Sequence, residues 1–264
     1  MLFVFCDFFI SICRKNEEED LRKVQKYSEE KLDKELRKLG YPEDFISIMP
    51  VEQKHDIVDS EPVSYGGGEK KEFYFDENGV LKESKSGDIS IMGTIPLADL
   101  TIFNNKSYLG VINGRKTYRI YVNWQWNKIP FYQYKDKVAL SYNDEFRTRI
   151  SNNGNYSCRS YMKNNAGTTI ASTDCYGRPS EISYGGASWY YDHDKYDYTQ
   201  SGFAQMDIET KDATNPTGGA IILSHYYHKT GFPGSLSLNI GYASISVSSG
   251  SNYNLAATQH AFNY

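Results

Sequence analysis

The sequence lacks a hydrophobic run long enough to cross a membrane as a helix, which takes about 20 apolar residues. Its longest apolar stretch covers residues 2–12 and is interrupted by Asp7 and Ser11, so we expect no integral membrane span. An excess of positive charge is also missing, because 29 lysines and arginines stand against 33 acidic residues. Nucleic-acid-binding domains usually carry a basic patch, and we therefore expect no nucleic acid partner.

Motifs that indicate catalysis are missing as well. Gly186-Ala187-Ser188-Trp189 departs at its last residue from the Gly-x-Ser-x-Gly elbow of serine hydrolases. The sequence contains no Gly-x-x-x-x-Gly-Lys phosphate loop. Its acidic residues are too scattered to assign the carboxylate pair of a glycosidase. We predict no catalytic residue from the sequence.

Tyrosine is abundant, and its distribution divides the chain. Of the 23 tyrosines, 21 follow residue 61, whereas residues 14–61 hold fourteen acidic and ten basic residues. Residues 62–264 are nearly neutral, with nineteen basic and eighteen acidic residues. We predict an apolar segment at residues 1–13, an acidic helical segment at 14–60, a linker at 61–68 and a β-domain at 69–264.

The apolar segment at residues 1–13 has the length of a signal-peptide core. It lacks basic residues in front of that core, and no small-x-small cleavage site follows it. Two interpretations stay open. The segment is either the remnant of a secretory signal with a clipped or misassigned start, or a buried or interfacial piece of the protein.

The acidic segment has the apolar period of an amphipathic helix over residues 17–39. Gly40 is expected to end this helix, since a residue just past a helix end often takes positive φ. Pro42 and Pro50 predict two short helices after it, because proline suits a first helical position. The apolar stripe of the long helix comprises Leu21, Val24, Leu32, Leu36 and Leu39.

The body has the pattern of an antiparallel β-protein. Asn78-Gly79 and Asn113-Gly114 predict two tight hairpins with positive φ at both central residues. Residues 117–126 alternate five times, which indicates a strand with one buried face. Many short strands separated by Gly, Asn, Ser and Pro predict an antiparallel β-sandwich of the jelly-roll kind. Other strands are predicted at 71–75, 80–83, 89–93, 108–112, 138–142, 202–209, 219–228, 235–248 with a bulge or turn near Gly241, and 253–264.

Cys158 and Cys175 are predicted to form a disulfide. Folding the intervening segment about Ala166-Gly167 places the two cysteines opposite each other, as a non-hydrogen-bonded pair about 4.5 Å apart. That separation suits a disulfide. The alternative is two unrelated thiols. Because such a bond persists outside a reducing cytosol, it favours export.

The histidines and aspartates suggest no metal site or other cofactor. His225 and His228 lie three residues apart on a predicted strand, so their side chains point to opposite faces and one ion cannot readily take both. Tyr226 and His228 are expected to share one face. Asp192, Asp194 and Asp197 lack the glycine and terminal glutamate of a calcium-binding loop. We predict no metal ligand and no cofactor.

An aromatic and acidic run at residues 189–198 is the candidate ligand surface. Trp124 and Trp126 belong to the apolar face of their strand and are assigned to the core. The later run carries aromatic or acidic residues on both faces, so it is either the packed edge of the sandwich or an exposed binding surface. The predicted ligand-binding residues are Trp189, Tyr190, Tyr191, Asp192 and Asp194.

Several segments resemble parts of secreted β-rich proteins of Gram-positive bacteria that have no known activity. They read LGYPEDFI at residues 39–46, YVNWQW at 121–126 and SHYYH at 224–228, followed by serine-rich C-terminal strands that end in an aromatic residue. The resemblance implies an exported β-rich protein and carries over no functional residue.

Together these observations predict a secreted or cell-surface protein that binds a carbohydrate or protein ligand. Two other functions stay open. One is an extracellular hydrolase whose site is assembled only in three dimensions, and the other is a membrane-active β-toxin, because the alternation of serine and apolar residues at 234–251 also occurs in membrane hairpins.

Overall fold

The computed structural model describes residues 27–84, 98–130, 132–164, 169–175, 178–193, 198–231, 235–249 and 252–264. Within these ranges the chain divides into two compact units between Tyr65 and Gly66. The predicted segment at residues 1–13 and the predicted strand at 89–93 lie outside the described residues. No helix in the described ranges is long and apolar enough to cross a membrane.

The described residues of the first unit contain three helices, α1 (Glu29–Lys38), α2 (Glu43–Ile46) and α3 (Val51–Asp59). The single helix predicted over residues 17–39 is wrong at Ser28, whose φ of −66° and ψ of 154° are extended. The Ser28 hydroxyl accepts a hydrogen bond from the backbone N–H of Lys31. Serine is a favoured N-cap because its oxygen replaces a missing backbone partner, so α1 begins at the next residue. Gly40 ends α1 with φ +90°, as predicted.

The three helices pack around their own apolar side chains. Leu32 and Leu36 on α1 and Ile57 on α3 are fully buried, which confirms the apolar stripe over the described part of the helix. Lys54 on α3 is also buried, and its amine donates hydrogen bonds of 2.7–2.8 Å to carboxylates of α1. The helices are therefore joined by apolar contact and by a buried cation with acidic partners.

The second unit is an antiparallel β-sandwich, as predicted. Its described strands are β1 (Ser64–Phe75), β2 (Leu81–Glu83), β3 (Leu100–Ile112), β4 (Arg115–Trp126), β5 (Lys135–Tyr142), β6 (Phe146–Thr148), β7 (Ser157–Lys163), β8 (Thr169–Asp174), β9 (Glu181–Ser183), β10 (Gly186–Asp192), β11 (Thr199–Thr210), β12 (Gly219–Lys229), β13 (Ser237–Gly241), β14 (Ser244–Ser249) and β15 (Tyr253–Asn263). Sheet A has the order β2-β1-β3-β4-β11-β7-β8, with β6 paired to β11. Sheet B has the order β15-β12-β5-β10-β9.

The two sheets enclose one hydrophobic core built from alternate residues of their strands. The predicted inward face of β4 is confirmed, because Trp124 and Trp126 are each 1% exposed and lie in this core. The prediction that β4 has only one buried face is wrong, since Tyr121 and Asn123 on the other face are buried too. Polar groups on that face bond along the sheet, as the Asn105 amide does to the Asn123 oxygen at 3.1 Å. Such pairing lowers the cost of burying them.

Both Asn-Gly hairpins form, with different turns. Asn113 and Gly114 take φ values of 53° and 76°, as predicted. At the other hairpin Gly79 takes positive φ (72°) and Asn78 does not. That loop is held by Asp76, whose carboxylate accepts hydrogen bonds from the backbone N–H groups of Asn78 and Val80. An aspartate that caps its own turn in this way removes the need for positive φ at the asparagine.

The linker predicted at residues 61–68 is wrong over its second half, because β1 begins at Ser64. Glycine is required in this strand by its neighbours. A Cβ atom on Gly66 would lie 2.7 Å from Cγ of Lys106, and one on Gly67 would lie 2.7 Å from Nε2 of His260. At these two glycines the backbone of β1 therefore passes close to side chains of other strands.

A third layer covers part of the outer face of sheet B. Strands β13 and β14 pair as a hairpin, and the turn between them follows Gly241, which confirms the break predicted near that residue. Leu236, Leu238 and Ile240 pack against Ala139 and Tyr227 of sheet B. The serine-rich segment therefore buries its apolar face against the sandwich.

The predicted disulfide is present. It joins Cys158 on β7 to Cys175, the residue that follows β8. The Cα atoms are 5.2 Å apart. The pairing of Arg159 with Asp174 next to the bond confirms that the cysteines face each other. They form a hydrogen-bonded pair and not the predicted non-hydrogen-bonded one, since the Cys175 N–H donates to the Cys158 carbonyl. The wider spacing follows from that pattern. The turn at 166–167 lies outside the described residues.

Candidate functional site

A shallow pocket opens at one edge of the sandwich, among residues of β7 and β8, the end of β10 and the start of β11. The lining combines the apolar side chains of Met162 and Ala171 with side chains that offer hydroxyl, amide and carboxylate groups. The polar members are Ser160, Tyr161, Ser172, Thr173, Asp192 and Gln200. The pocket therefore presents both hydrogen-bond donors and acceptors to solvent.

The residues predicted to bind a ligand are separated in the structure. Trp189 and Tyr191 are at most 1% exposed and belong to the core between the sheets, so a ligand cannot reach their rings. Their burial corrects the expectation of an aromatic surface, because β10 pairs with β5 and turns this face toward sheet A. Tyr190 is half-buried, and its hydroxyl donates to the Leu236 carbonyl at 2.9 Å. Asp192 is exposed and lines the pocket, while Asp194 lies outside the described residues.

The pocket is tied to the core behind it. Gln200 lines the pocket, and its side-chain oxygen accepts a hydrogen bond from the Tyr191 hydroxyl. The Tyr191 ring lies 5.2 Å from the ring of Trp124 and 4.7 Å from that of His193. The polar floor is thus held by packed aromatic side chains, which favours a preformed binding surface.

A buried polar cluster lies beyond Tyr191, at one end of sheet B. Asp136, His193 and His228 are each fully buried at the side chain. Strand β5 lies between β10 and β12. Its register pairs Asp136 with Tyr191 of β10 and Lys137 with Tyr227 of β12, so Asp136 comes next to His228. His193 follows Tyr191 by two residues. The strand order therefore brings the carboxylate between two imidazoles.

One oxygen of Asp136 is the centre of this cluster. Oδ2 lies 2.6 Å from Nε2 of His193, 2.9 Å from Nδ1 of His228 and 2.6 Å from the Tyr226 hydroxyl. The other oxygen, Oδ1, accepts a hydrogen bond of 2.9 Å from the backbone N–H of Lys229. The outward ring nitrogens, Nδ1 of His193 and Nε2 of His228, have no hydrogen-bond partner in the described part of the chain.

The electrostatics of the cluster favour an ionised carboxylate. Burial would raise the pKa of the Asp136 carboxyl, but the neighbouring His228 and His193 outweigh that effect and hold this pKa well below its usual range. Burial and the Asp136 charge raise the pKa of the Tyr226 hydroxyl well above its usual value. Tyr226 therefore stays a hydrogen-bond donor to Asp136, while its oxygen accepts from the Trp126 indole N–H at 3.0 Å.

The sequence contained part of the signal for this cluster. The prediction that His225 and His228 face opposite sides of β12 is confirmed, since His228 contacts Asp136 whereas His225 contacts the Tyr227 hydroxyl at 3.0 Å. Asp136 lies on β5, and His193 follows β10 directly, at the position that continues the inward face of Trp189 and Tyr191. Alternation does not tell which strands are neighbours, and so the three residues could not be joined. Three such side chains, with ligand atoms within 4.8 Å of one another, are a set that can hold a metal ion.

A second buried group lies between the sheets at Lys106, which is 1% exposed. Its amine contacts the Gly66 carbonyl, lies 3.0 Å from Nε2 of His260 and lies 3.8 Å from the centre of the Phe262 ring. Burial lowers the pKa of Lys106 to about 7. Burial, followed by the Lys106 charge, lowers the pKa of His260 to about 4. We assign this buried amine no chemical step.

No protein-family model matches the sequence, and no curated protein is similar to it. Among solved structures, the collagen-binding subdomain of the Enterococcus faecalis surface protein ACE is 10% identical, with a TM-score of 0.29 over 58% of this chain and 88% of that one. The collagen-binding domain of a Staphylococcus aureus adhesin is 7% identical, with a TM-score of 0.29 over 55% and 86%. AvmM, which catalyses macrocyclization in alchivemycin A biosynthesis, is 14% identical, with a TM-score of 0.26 over 61% and 87%. At such TM-scores these similarities establish no family, ligand or activity for this chain.

Proposed function

We propose that this chain is an exported binding module of the cell surface or extracellular space, and that it binds a carbohydrate at the pocket lined by Asp192. The polar side chains gathered in the lining of that pocket are the observation that carries the proposal. Sugar hydroxyl groups both donate and accept hydrogen bonds, and the hydroxyl, amide and carboxylate groups of this lining complement them.

The chemistry of the pocket favours a sugar over a protein ligand. Asp192 is an acceptor with two oxygens, and bonds that a charged carboxylate accepts are stronger than neutral ones. Ser172 and Thr173 are exposed beside it and can adapt their hydroxyl protons to the ligand.

Export is supported by the Cys158–Cys175 bond. Disulfides persist in oxidising compartments and are rare in a reducing cytosol. The bond ties β7 to β8, which are two of the strands that line the pocket. Its expected effect is to hold the edge of the sheet in place outside the cell.

The other two functions have no comparable support. A glycosidase needs two carboxylates on opposite sides of the sugar, and the described lining of the pocket offers one, Asp192. Asp136 is fully buried and cannot reach a substrate. For a membrane-active toxin, the apolar face of the β13–β14 hairpin would have to be available, but it packs against Ala139 and Tyr227.

The test is a glycan array that includes bacterial and host polysaccharide fragments, probed with the untagged full chain labelled at its N-terminus. Any glycan that binds is then titrated calorimetrically against wild type and Asp192→Asn. Loss of the charged acceptor is expected to weaken binding at least about tenfold, which is the range of a charge-assisted hydrogen bond. The melting temperature of the variant should be unchanged because Asp192 is exposed.

Asp174→Asn is the matched control. Asp174 is also an exposed carboxylate on this edge, but its partner is Arg159 and it does not line the pocket. Binding by this variant should equal that of wild type. The proposal fails if no glycan binds above background, or if Asp192→Asn and Asp174→Asn bind the same glycan as tightly as wild type does.

A further inference from the structure

The buried cluster at the end of sheet B carries an inference that is independent of the pocket. We propose that Asp136, His193 and His228 bind one zinc ion inside the sandwich, where it holds β5, β10 and β12 together. The atoms that would contact the ion are Oδ2 of Asp136, Nε2 of His193 and Nδ1 of His228.

The first argument is that too many polar groups point at one oxygen. A carboxylate oxygen has two lone pairs, whereas Oδ2 of Asp136 is approached by His193, His228 and Tyr226 at 2.6–2.9 Å. Two lone pairs cannot accept three well-directed hydrogen bonds from these groups at the same time. A metal ion between these atoms would take one lone pair from each ring nitrogen and one from the oxygen, and so would relieve this crowding.

The second argument concerns charge. Asp136 is fully buried, and its ion-pair partners in the described residues are the two histidines, with no lysine or arginine among them. A fully buried carboxylate is costly in a protein interior unless a cation lies beside it. A divalent cation offsets that charge and binds neutral imidazoles, because ligation uses the lone pair of a ring nitrogen.

The third argument is that the ligand set and its support suit zinc. Zinc takes histidine nitrogen and carboxylate oxygen at about 2.0–2.2 Å in tetrahedral sites. The ligand atoms lie within 4.8 Å of one another, so shifts on the order of 1 Å would bring them to those distances. Groups around the ligands also fix the carboxylate, since Lys229 N–H holds Oδ1 and the Trp126–Tyr226 pair holds Oδ2. Such outer contacts are typical of metal sites.

The position of the ion determines its role. All three side chains are closed to solvent, so the site has no place for a substrate and the ion is structural. The ligands come from β5, from the segment after β10 and from β12, and a structural ion between strands adds its binding free energy to folding. The outward nitrogens of both rings lack partners in the described residues, so each ring can carry its proton there and present its inner lone pair.

The experiment uses the untagged full chain, because a histidine tag binds zinc itself. The protein is unfolded in denaturant with a chelator and without reductant, and is then refolded with or without zinc. We expect one zinc per chain by plasma mass spectrometry after gel filtration. With zinc in roughly hundredfold excess over its dissociation constant, the melting temperature should rise by about 5–10 °C. Refolding with Co²⁺ should give visible absorption bands of protein-bound cobalt, which free Co²⁺ in the same buffer does not show.

The variants His228→Asn and His225→Asn form a matched pair on one strand. His225 faces the other side of β12 and contacts Tyr227, so its variant should retain one zinc and the cobalt spectrum. His228→Asn should lose both. If His228→Asn does not fold, the cobalt spectra of wild type and His225→Asn decide whether the chain binds a metal ion away from His225.

Two results would overturn the proposal. One is a wild-type protein that refolds equally well with and without zinc, retains no metal and shows no cobalt bands. The cluster would then be a hydrogen-bonded group of the core. The other is loss of zinc in His225→Asn to the same extent as in His228→Asn, which would place the ion elsewhere.

Discussion

Lys106 keeps its amine between the two sheets, where burial lowers its pKa to about 7. An unfolded chain would bind this proton up to a pKa of about 10.4. Between pH 7 and that value the unfolded state therefore holds more protons than the folded state, and stability rises with pH over this window. Below pH 7 both states are protonated and the full cost of a buried charge remains.

We expect Lys106→Met to remove this pH dependence. Methionine keeps the long apolar stem and deletes the charge, so the variant should be more stable than wild type at about pH 7, and the difference should shrink toward pH 9. Urea unfolding midpoints at several pH values measure both effects. The exposed Lys82→Met is the control and should follow wild type. A wild-type midpoint that does not rise over this window, or a variant as pH-dependent as wild type, would contradict the expectation.

For single residues, the sequence predicts correctly which face of a strand a side chain occupies. It does not predict whether that face is exposed to solvent. Alternation correctly pairs Tyr226 with His228 on one face of β12. It also places Trp189 and Tyr191 on a common face, but whether that face is covered depends on the sheet that lies opposite. That information is not local. For the same reason, the buried position of Lys106 could not be predicted from a residue type that is almost always exposed.

The disulfide between β7 and β8 leads to a prediction about an element of the fold. Cys158 and Cys175 are 17 residues apart, and closing a loop of this length contributes about 3 kcal/mol in the chain-entropy model. The double variant Cys158→Ala, Cys175→Ala should therefore melt about 6–12 °C below the oxidised wild type. Calorimetry of both proteins measures the difference.

Reduction supplies the internal control for this prediction. Wild type treated with reductant should melt near the double variant, whereas the double variant should not respond to the reductant. An equal melting temperature for oxidised wild type and the double variant would show that the bond adds nothing to stability. Because the bond borders the pocket, glycan binding should also weaken when it is removed.

Elements were predictable where local chemistry decides them. The Asn113-Gly114 hairpin and the end of α1 at Gly40 follow from backbone preferences that need no partner. The start of α1 was missed because Ser28 fits the apolar spacing in one register and also serves as an N-cap. Gly66 and Gly67 suggested a linker, whereas their absence of a side chain makes room for Lys106 and His260. A glycine required by a distant neighbour cannot be told from one in a loop.

The largest gap between sequence and structure is at the scale of the whole molecule. Asp136, His193 and His228 come from three positions far apart in the chain, and they meet because β5 lies between β10 and β12 in sheet B. Between β4 and β12 the chain crosses repeatedly from one sheet to the other, so several strands that follow each other in sequence are not neighbours in a sheet. A sandwich could be predicted from strand number and turns, but its strand order could not, and the buried cluster depends on that order.

A hydrogen bond between the sheets gives the prediction that tests the cluster as a part of the whole fold. Trp126 belongs to sheet A and its indole N–H donates to the hydroxyl of Tyr226 in sheet B, which in turn donates to Asp136. Tyr226→Phe keeps the ring and leaves the Trp126 N–H buried without its acceptor. We expect a loss of about 1–3 kcal/mol in the free energy of unfolding, measured by urea titration in a chelating buffer.

Tyr227→Phe separates this effect from the general loss of a hydroxyl. Tyr227 is the next residue of β12 and faces the outer side of sheet B, where its hydroxyl contacts the half-buried His225. Its removal should cost less than about 1 kcal/mol, because His225 is only half-buried and the penalty for an unpaired polar group falls with its exposure. If both variants lose the same free energy of unfolding, the hydrogen bond between the sheets contributes no more to stability than one on the outer side of sheet B. A larger loss for Tyr226→Phe would show that the polar cluster holds the sandwich together in addition to its apolar core.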